Sequence, residues 1–187
     1  MNRTLVNFIA FQLGWFSCVL SAAKGLPWLG LIVVCLVVAL HIRSSDKPRH
    51  EWQLLILAVM SGLVFDSLLV SGGLVRYPSG MLFSNIAPYW ILAMWALFAT
   101  TLNVSMAWLK NSLALASVMG AVFGPLSYLA GQRLGAIELL DARVSMMALA
   151  VIWALVMPML IYAANRLDNV TELVRVEPLQ KLTGKEQ

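Results

Sequence analysis

Apolar residues gather in six long blocks, approximately residues 5–23, 27–42, 53–71, 86–109, 113–131 and 144–165, with short polar breaks between them. A hydrocarbon core about 30 Å thick is crossed by roughly 20 helical residues rising about 1.5 Å each. The blocks approach that length, so the pattern predicts an all-α bundle of six transmembrane helices. The second block is the shortest and has no polar face, which predicts broad contact with lipid.

The breaks carry helix-stop and helix-start chemistry. Lys24-Gly25-Leu26-Pro27, Ser44-Ser45-Asp46-Lys47-Pro48 and the stretch from Gly72-Gly73 to Tyr77-Pro78-Ser79-Gly80 combine glycine or serine with proline. In Lys110-Asn111-Ser112, Asn or Ser is placed to cap the fifth helix. No break is long enough for a further domain. The expected organisation is a transmembrane domain over 1–166 and a polar tail over 167–187, the latter a short juxtamembrane helix that frays. Arg3 and Ser21-Ala22-Ala23 give the first block some features of a cleaved signal. Asn7, Gln12 and Trp15 interrupt its apolar run, however, and it reads as a retained span.

Composition agrees with a membrane setting: 60% of the chain is hydrophobic and the mean hydropathy is +0.82. Charge adds an orientation. Six spans put Arg3, Arg43, Lys47, Arg49, Lys110, Arg166, Arg175, Lys181 and Lys185 on one side, nine basic residues, against Lys24, Arg76, Arg133 and Arg143, four, on the other. That asymmetry places both termini in the cytoplasm. Topology and anionic lipid account for the net charge of +4, and no nucleic-acid partner is expected.

Helices in lipid approach closely where small residues recur. Ala10, Gly14, Cys18 and Ala22 form such a stripe on the first helix, and Ala116, Gly120 and Gly124 another on the fifth. Packing within the bundle is the expected role, with docking of a second membrane protein as the alternative.

Asp66 is the sharpest single feature, since a carboxylate in a membrane helix costs about 2.5–3.5 kcal/mol on insertion scales. Pro125 interrupts the helix ladder at the same level and is followed by Tyr128, Gln132 and Arg133. The expectation is an outward-facing polar chamber with an Asp66–Arg133 ion pair, surrounded by Tyr77, Tyr89, Trp90, Tyr128 and Gln132. Either a ligand site or a structural pair fixing helix register fits those residues. A second polar set, Asn7, Gln12, Thr100, Thr101, Asn103 and Ser105, lies toward the cytoplasmic half, where Asn103 is expected to hold helices together.

Trp28, Trp52, Trp90 and Trp108 fit an interfacial belt, whereas Trp15, Trp95 and Trp153 lie deeper and line a cavity or fill a core. The ten methionines read as gap fillers. Cys18 and Cys35 read as packing residues within the membrane. His41 and His50 have no Cys or carboxylate partner at ligand spacing, so neither metal nor cofactor is expected. Glu138 and Asp141 do not read as a catalytic pair.

Asn7-Phe8, Phe11-Gln12-Leu13-Gly14-Trp15-Phe16, the stretch from Trp95 to Asn103, and Gly124-Pro125-Leu126-Ser127-Tyr128 with Gly131 and Gly135-Ala136 resemble an uncharacterised bacterial family of small inner-membrane proteins, a domain of unknown function. The resemblance extends to about Leu167. It implies six helices in a bacterial inner membrane and, from encoding near fatty-acid-modifying enzymes, work on lipids. Size and span count are also similar to the substrate-binding membrane subunits of energy-coupling-factor vitamin transporters, although no vitamin-binding motif is present. The leading expectation is a protein without catalysis of its own that binds or passes a small or lipid-like ligand. The alternatives are an accessory subunit of a membrane complex and, less favoured, a lipid-modifying enzyme.

Overall fold

A computed structural model describes the backbone of residues 2–183 and the side chains of residues 2–168. Six α-helices form an all-α membrane bundle: α1 (Arg3–Ala23), α2 (Pro27–Ser44), α3 (Pro48–Ser71), α4 (Tyr89–Leu102), α5 (Leu113–Arg133) and α6 (Ala142–Thr183). All except α4 are long and apolar enough to cross a membrane.

Local chemistry sets the helix starts. Asn2 and Ser112 cap α1 and α5 by accepting from Thr4 and Leu115 N–H groups. Pro27 and Pro48 occupy the first positions of α2 and α3, where no intrahelical donor is needed. Asp141 accepts from the N–H groups of Arg143 and Val144 and so opens α6. Gly73, at φ +64°, turns the chain out of α3 in a conformation that a side chain would strain.

The fourth block does not form one helix. α4 has 14 residues and reaches only about 21 Å, short of the roughly 30 Å core. The chain turns at Asn103 and resumes as a 3-10 helix over Ala107–Asn111. α4 compensates by lying at the centre, with Trp90, Ile91, Trp95, Leu97, Phe98 and Leu102 all buried. α1, α2 and α3 pack around it, and α6 closes the bundle against α3 and α5. Above the start of α4, the 72–88 connection folds inward: Trp90 Nε1 donates to the Ser79 carbonyl, and Ser79 Oγ donates to the Ala22 carbonyl. Two short strands, β1 (Val75–Arg76) and β2 (Glu138–Leu139), pair antiparallel across this end, joined further by an Arg76–Glu138 ion pair.

α2 faces lipid broadly, with Ile32, Leu36 and Leu40 exposed. Both small-residue stripes lie within the bundle. A Cβ on Gly14 would stand 2.6 Å from Leu97 of α4 and one on Gly30 2.5 Å from Cys18, while Gly120 and Gly124 lie directly against Trp153 of α6. Ala22 and Ala116 are buried and Ala10 is partly so. α6 runs through the 166–167 boundary without a break, and the expected fraying at 184–187 lies outside the described residues.

Candidate functional site

Asp66 sits on the buried face of α3 with no solvent exposure. Its Oδ1 accepts from Tyr77 Oη at 2.7 Å and Tyr128 Oη at 2.5 Å, and its Oδ2 accepts from Trp95 Nε1 at 2.7 Å. Three elements converge on this one carboxylate: the 72–88 connection, α5 and α4. Each donor is neutral and aimed directly, which answers the cost of a polar group in lipid without a counter-charge. Trp90 supports the cluster from behind, its ring edge-on to Tyr77 at 5.7 Å.

The expected Asp66–Arg133 ion pair is not formed. Arg133 is exposed at the end of α5, five residues beyond Tyr128, where a long cationic side chain reaches the interface at lower cost than burial. Tyr89 and Gln132 are partly exposed, and neither bonds to Asp66 among the described residues. Sequence reasoning missed Trp95 as the third donor. Gly62 precedes Asp66 by one helical turn on the same face, and a Cβ there would run into the Trp95 indole. A small residue one turn before a membrane carboxylate was the signal for a neighbouring indole.

The expected polar chamber is replaced by a different cavity. About 490 Å³ lies between α1, α4, α5 and α6, lined by apolar and aromatic side chains with few polar atoms. α1 packs on α4 and α5 packs on α6, and the space lies where α1 and α5 scarcely touch. Trp95 and Trp153 stack along one wall, centroids 4.8 Å apart and planes within 7°. Phe98 meets Trp153 edge-on at 5.4 Å. The deeper tryptophans, Trp15, Trp95 and Trp153, all line this space, together with Met94, Met106, Met119 and Met157. Tyr128 and Trp95 border it too, but their polar atoms are held by Asp66. The carboxylate therefore fixes a wall of the cavity from behind. Phe16 on α1 and Phe123 and Leu126 on α5 line the cavity and are also exposed, so its mouth faces lipid between these two helices.

A second polar assembly occupies the opposite end. Glu51, only 6% exposed, accepts from Asn103 Nδ2 at 3.0 Å and pairs with His41 Nε2 at 3.0 Å. The α2–α3 turn thus gives His41 a carboxylate partner ten residues away, outside the ligand spacings considered from sequence. Lys110 Nζ donates to Asn103 Oδ1 at 2.6 Å and pairs with Asp168, which Lys47 reaches at 3.4 Å. Asn103 links α3 to Lys110 from the turn after α4 rather than from within a helix. Asn7 also bridges, donating to the Thr100 carbonyl and accepting from Ser105 Oγ at 2.7 Å.

No match is found among curated proteins or solved structures. One family does match, over residues 4–159, and is described as "Protein of unknown function (DUF2878)". With that match covering nearly the whole transmembrane bundle, the chain belongs to the DUF2878 family.

Proposed function

We propose that this multi-pass membrane protein binds a long, largely apolar molecule taken laterally from the bilayer, and that it works in the inner membrane of bacteria. The observation that carries the reading is the cavity between α1 and α5. Its volume of about 490 Å³ falls in the range of ligand sites, about 300–1,000 Å³. Lining residues from Phe11 to Val19 on α1 extend over about 12 Å along the helix, which favours an elongated guest. Methionines adapt to an irregular chain, and the stacked indoles give one flat, rigid wall. Most of both small-residue stripes packs against neighbouring helices, which favours a ligand over a docked subunit. The basic asymmetry between the two membrane faces supports the orientation, with the Arg3 end in the cytoplasm.

The test is lipid extraction from protein purified in polymer-bounded native membrane discs, compared with Met119→Trp and Ser127→Trp, which fill the cavity from the α5 side. An apolar species should be enriched over the bulk membrane with the natural chain and lost in both variants, their helicity unchanged by circular dichroism. A natural-chain profile identical to bulk membrane refutes the reading.

A further inference from the structure

A cavity of about 650 Å³ opens at the Arg3 end between α1, α2 and the α2–α3 turn, and it shares no lining residue with the apolar one. Its lining is divided by chemistry. Val6, Ala10, Val37 and Leu40 form an apolar side, with Leu40 67% exposed toward lipid. Arg3, His41, Lys47, Asp46, Glu51 and Asp168 form a polar side of both charge signs. Such a division suits an amphiphile whose head carries both signs.

The polar side also contains groups held tightly and groups held loosely. Glu51 is fixed by Asn103 and His41, and Asp168 by Lys110. Lys47 reaches Asp168 only at 3.4 Å; Arg3, its side chain 70% exposed, meets the 91% exposed Asp46 at 3.6 Å and donates to the Ser44 carbonyl at 3.0 Å. Both cations can exchange these contacts for an anion without stranding a buried charge, since Asp168 keeps Lys110 and Asp46 is exposed. His41 adds direction. Glu51 accepts from Nε2, so in the neutral ring Nε2 carries the proton and Nδ1 presents a lone pair. No protein group among the described residues bonds to Nδ1, yet no buried side-chain nitrogen is left without a partner. His41 lines this cavity, and Nδ1 is its ring nitrogen not engaged by Glu51.

We infer that this cavity binds a phosphate joined to a primary ammonium, the phosphate taken by Arg3 and Lys47 and one ammonium N–H accepted by His41 Nδ1. Two sources supply that chemistry: the phosphoethanolamine headgroup of an inner-leaflet phospholipid, and a soluble phosphoethanolamine. The apolar side favours the lipid, its acyl chain lying along Val6 and Leu40. A trimethylammonium headgroup has no N–H to offer Nδ1, and a glycerol headgroup has no cationic end.

Native mass spectrometry of the full chain tests this after equilibration in discs containing phosphatidylethanolamine, phosphatidylcholine and phosphatidylglycerol in equal parts. Phosphatidylethanolamine should be retained about tenfold over the other two, a difference near 1.4 kcal/mol. Lys47→Ala and His41→Gln should each erase most of that preference while circular dichroism stays unchanged. Retention undisturbed by millimolar O-phosphoethanolamine assigns the lipid as ligand; displacement by it assigns the soluble form of the same chemistry. Equal retention of the three lipids, or a preference intact in both variants, overturns the site.

Discussion

Replacing Asp66 with Asn changes almost no volume, so its cost isolates the hydrogen-bond geometry. The Asn Oδ1 retains the two tyrosine donors, but its Nδ2 takes the place of the oxygen that now accepts from Trp95 Nε1 at 2.7 Å. Two N–H donors then face each other in a site with no water exposure. A hydrogen bond contributes about 0.5–1.5 kcal/mol and an orphaned buried donor costs about 1–3 kcal/mol, so Asp66→Asn should destabilise the protein by about 3 kcal/mol. In a Trp95→Phe background the opposed donor is gone, and the same substitution should cost only about 1 kcal/mol. The coupling, about 2 kcal/mol, would exceed the roughly 0.6 kcal/mol average for hydrogen bonds between membrane helices. Equilibrium unfolding in mixed micelles, followed by far-ultraviolet circular dichroism, measures all four corners of the cycle. Additivity within about 0.5 kcal/mol would refute direct opposition between residue 66 and the indole.

Other substitutions separate the parts of the bundle. Gly62→Ala should destabilise by about 1–3 kcal/mol, because its Cβ meets the Trp95 ring and forces the indole away from Asp66; thermal unfolding checks it. Arg133→Ala, expected from sequence to break an ion pair, should stay within about 0.5 kcal/mol of the natural chain in the same assay, as befits an exposed side chain. Lys110→Ala should lower stability by about 1–2 kcal/mol, since it strips the closest cation from Asp168 and a donor from Asn103. Asn103→Leu in the Lys110→Ala background should then add less than it does alone.

The bundle was legible because bilayer thickness imposes a length on every crossing helix, and 5 of the segments met it. The fourth misled because apolarity says where a segment is buried and not where its backbone turns. Residues 86–109 are apolar almost throughout, yet the helix ends at Leu102, where Thr100 and Thr101 bond back to the Leu97 and Phe98 carbonyls and Asn103 reaches Glu51. Asp66 announced itself by its cost in lipid, and Tyr77 and Tyr128 followed as donors at its level. Arg133 was drawn in by the same reasoning, which weighed opposite charge over the position of a helix end near the interface. His41 and Glu51 each lie five residues from Asp46, the middle of the turn, so the hairpin itself pairs them; spacing rules for metal ligands do not look for that. The apolar cavity had no signature, because it results from two helices failing to meet.

The brevity of α4 bears on how the chain is assembled in the cell. A 14-residue segment is a poor independent guest of a bilayer, since it leaves either the membrane thinned around it or its polar flanks immersed in lipid. Those flanks find their partners on other helices: Trp90 and Ser79 connect to the end of α1, Asn103 to α3, Lys110 to α6. α1 to α3 leave the ribosome first and offer a ready cradle, whereas the partner of Lys110 is among the last residues of the bundle to be made. The last of these contacts can form only once α6 has been made, so a ribosome stalled before α6 should hold a chain in which Lys110 still lacks Asp168.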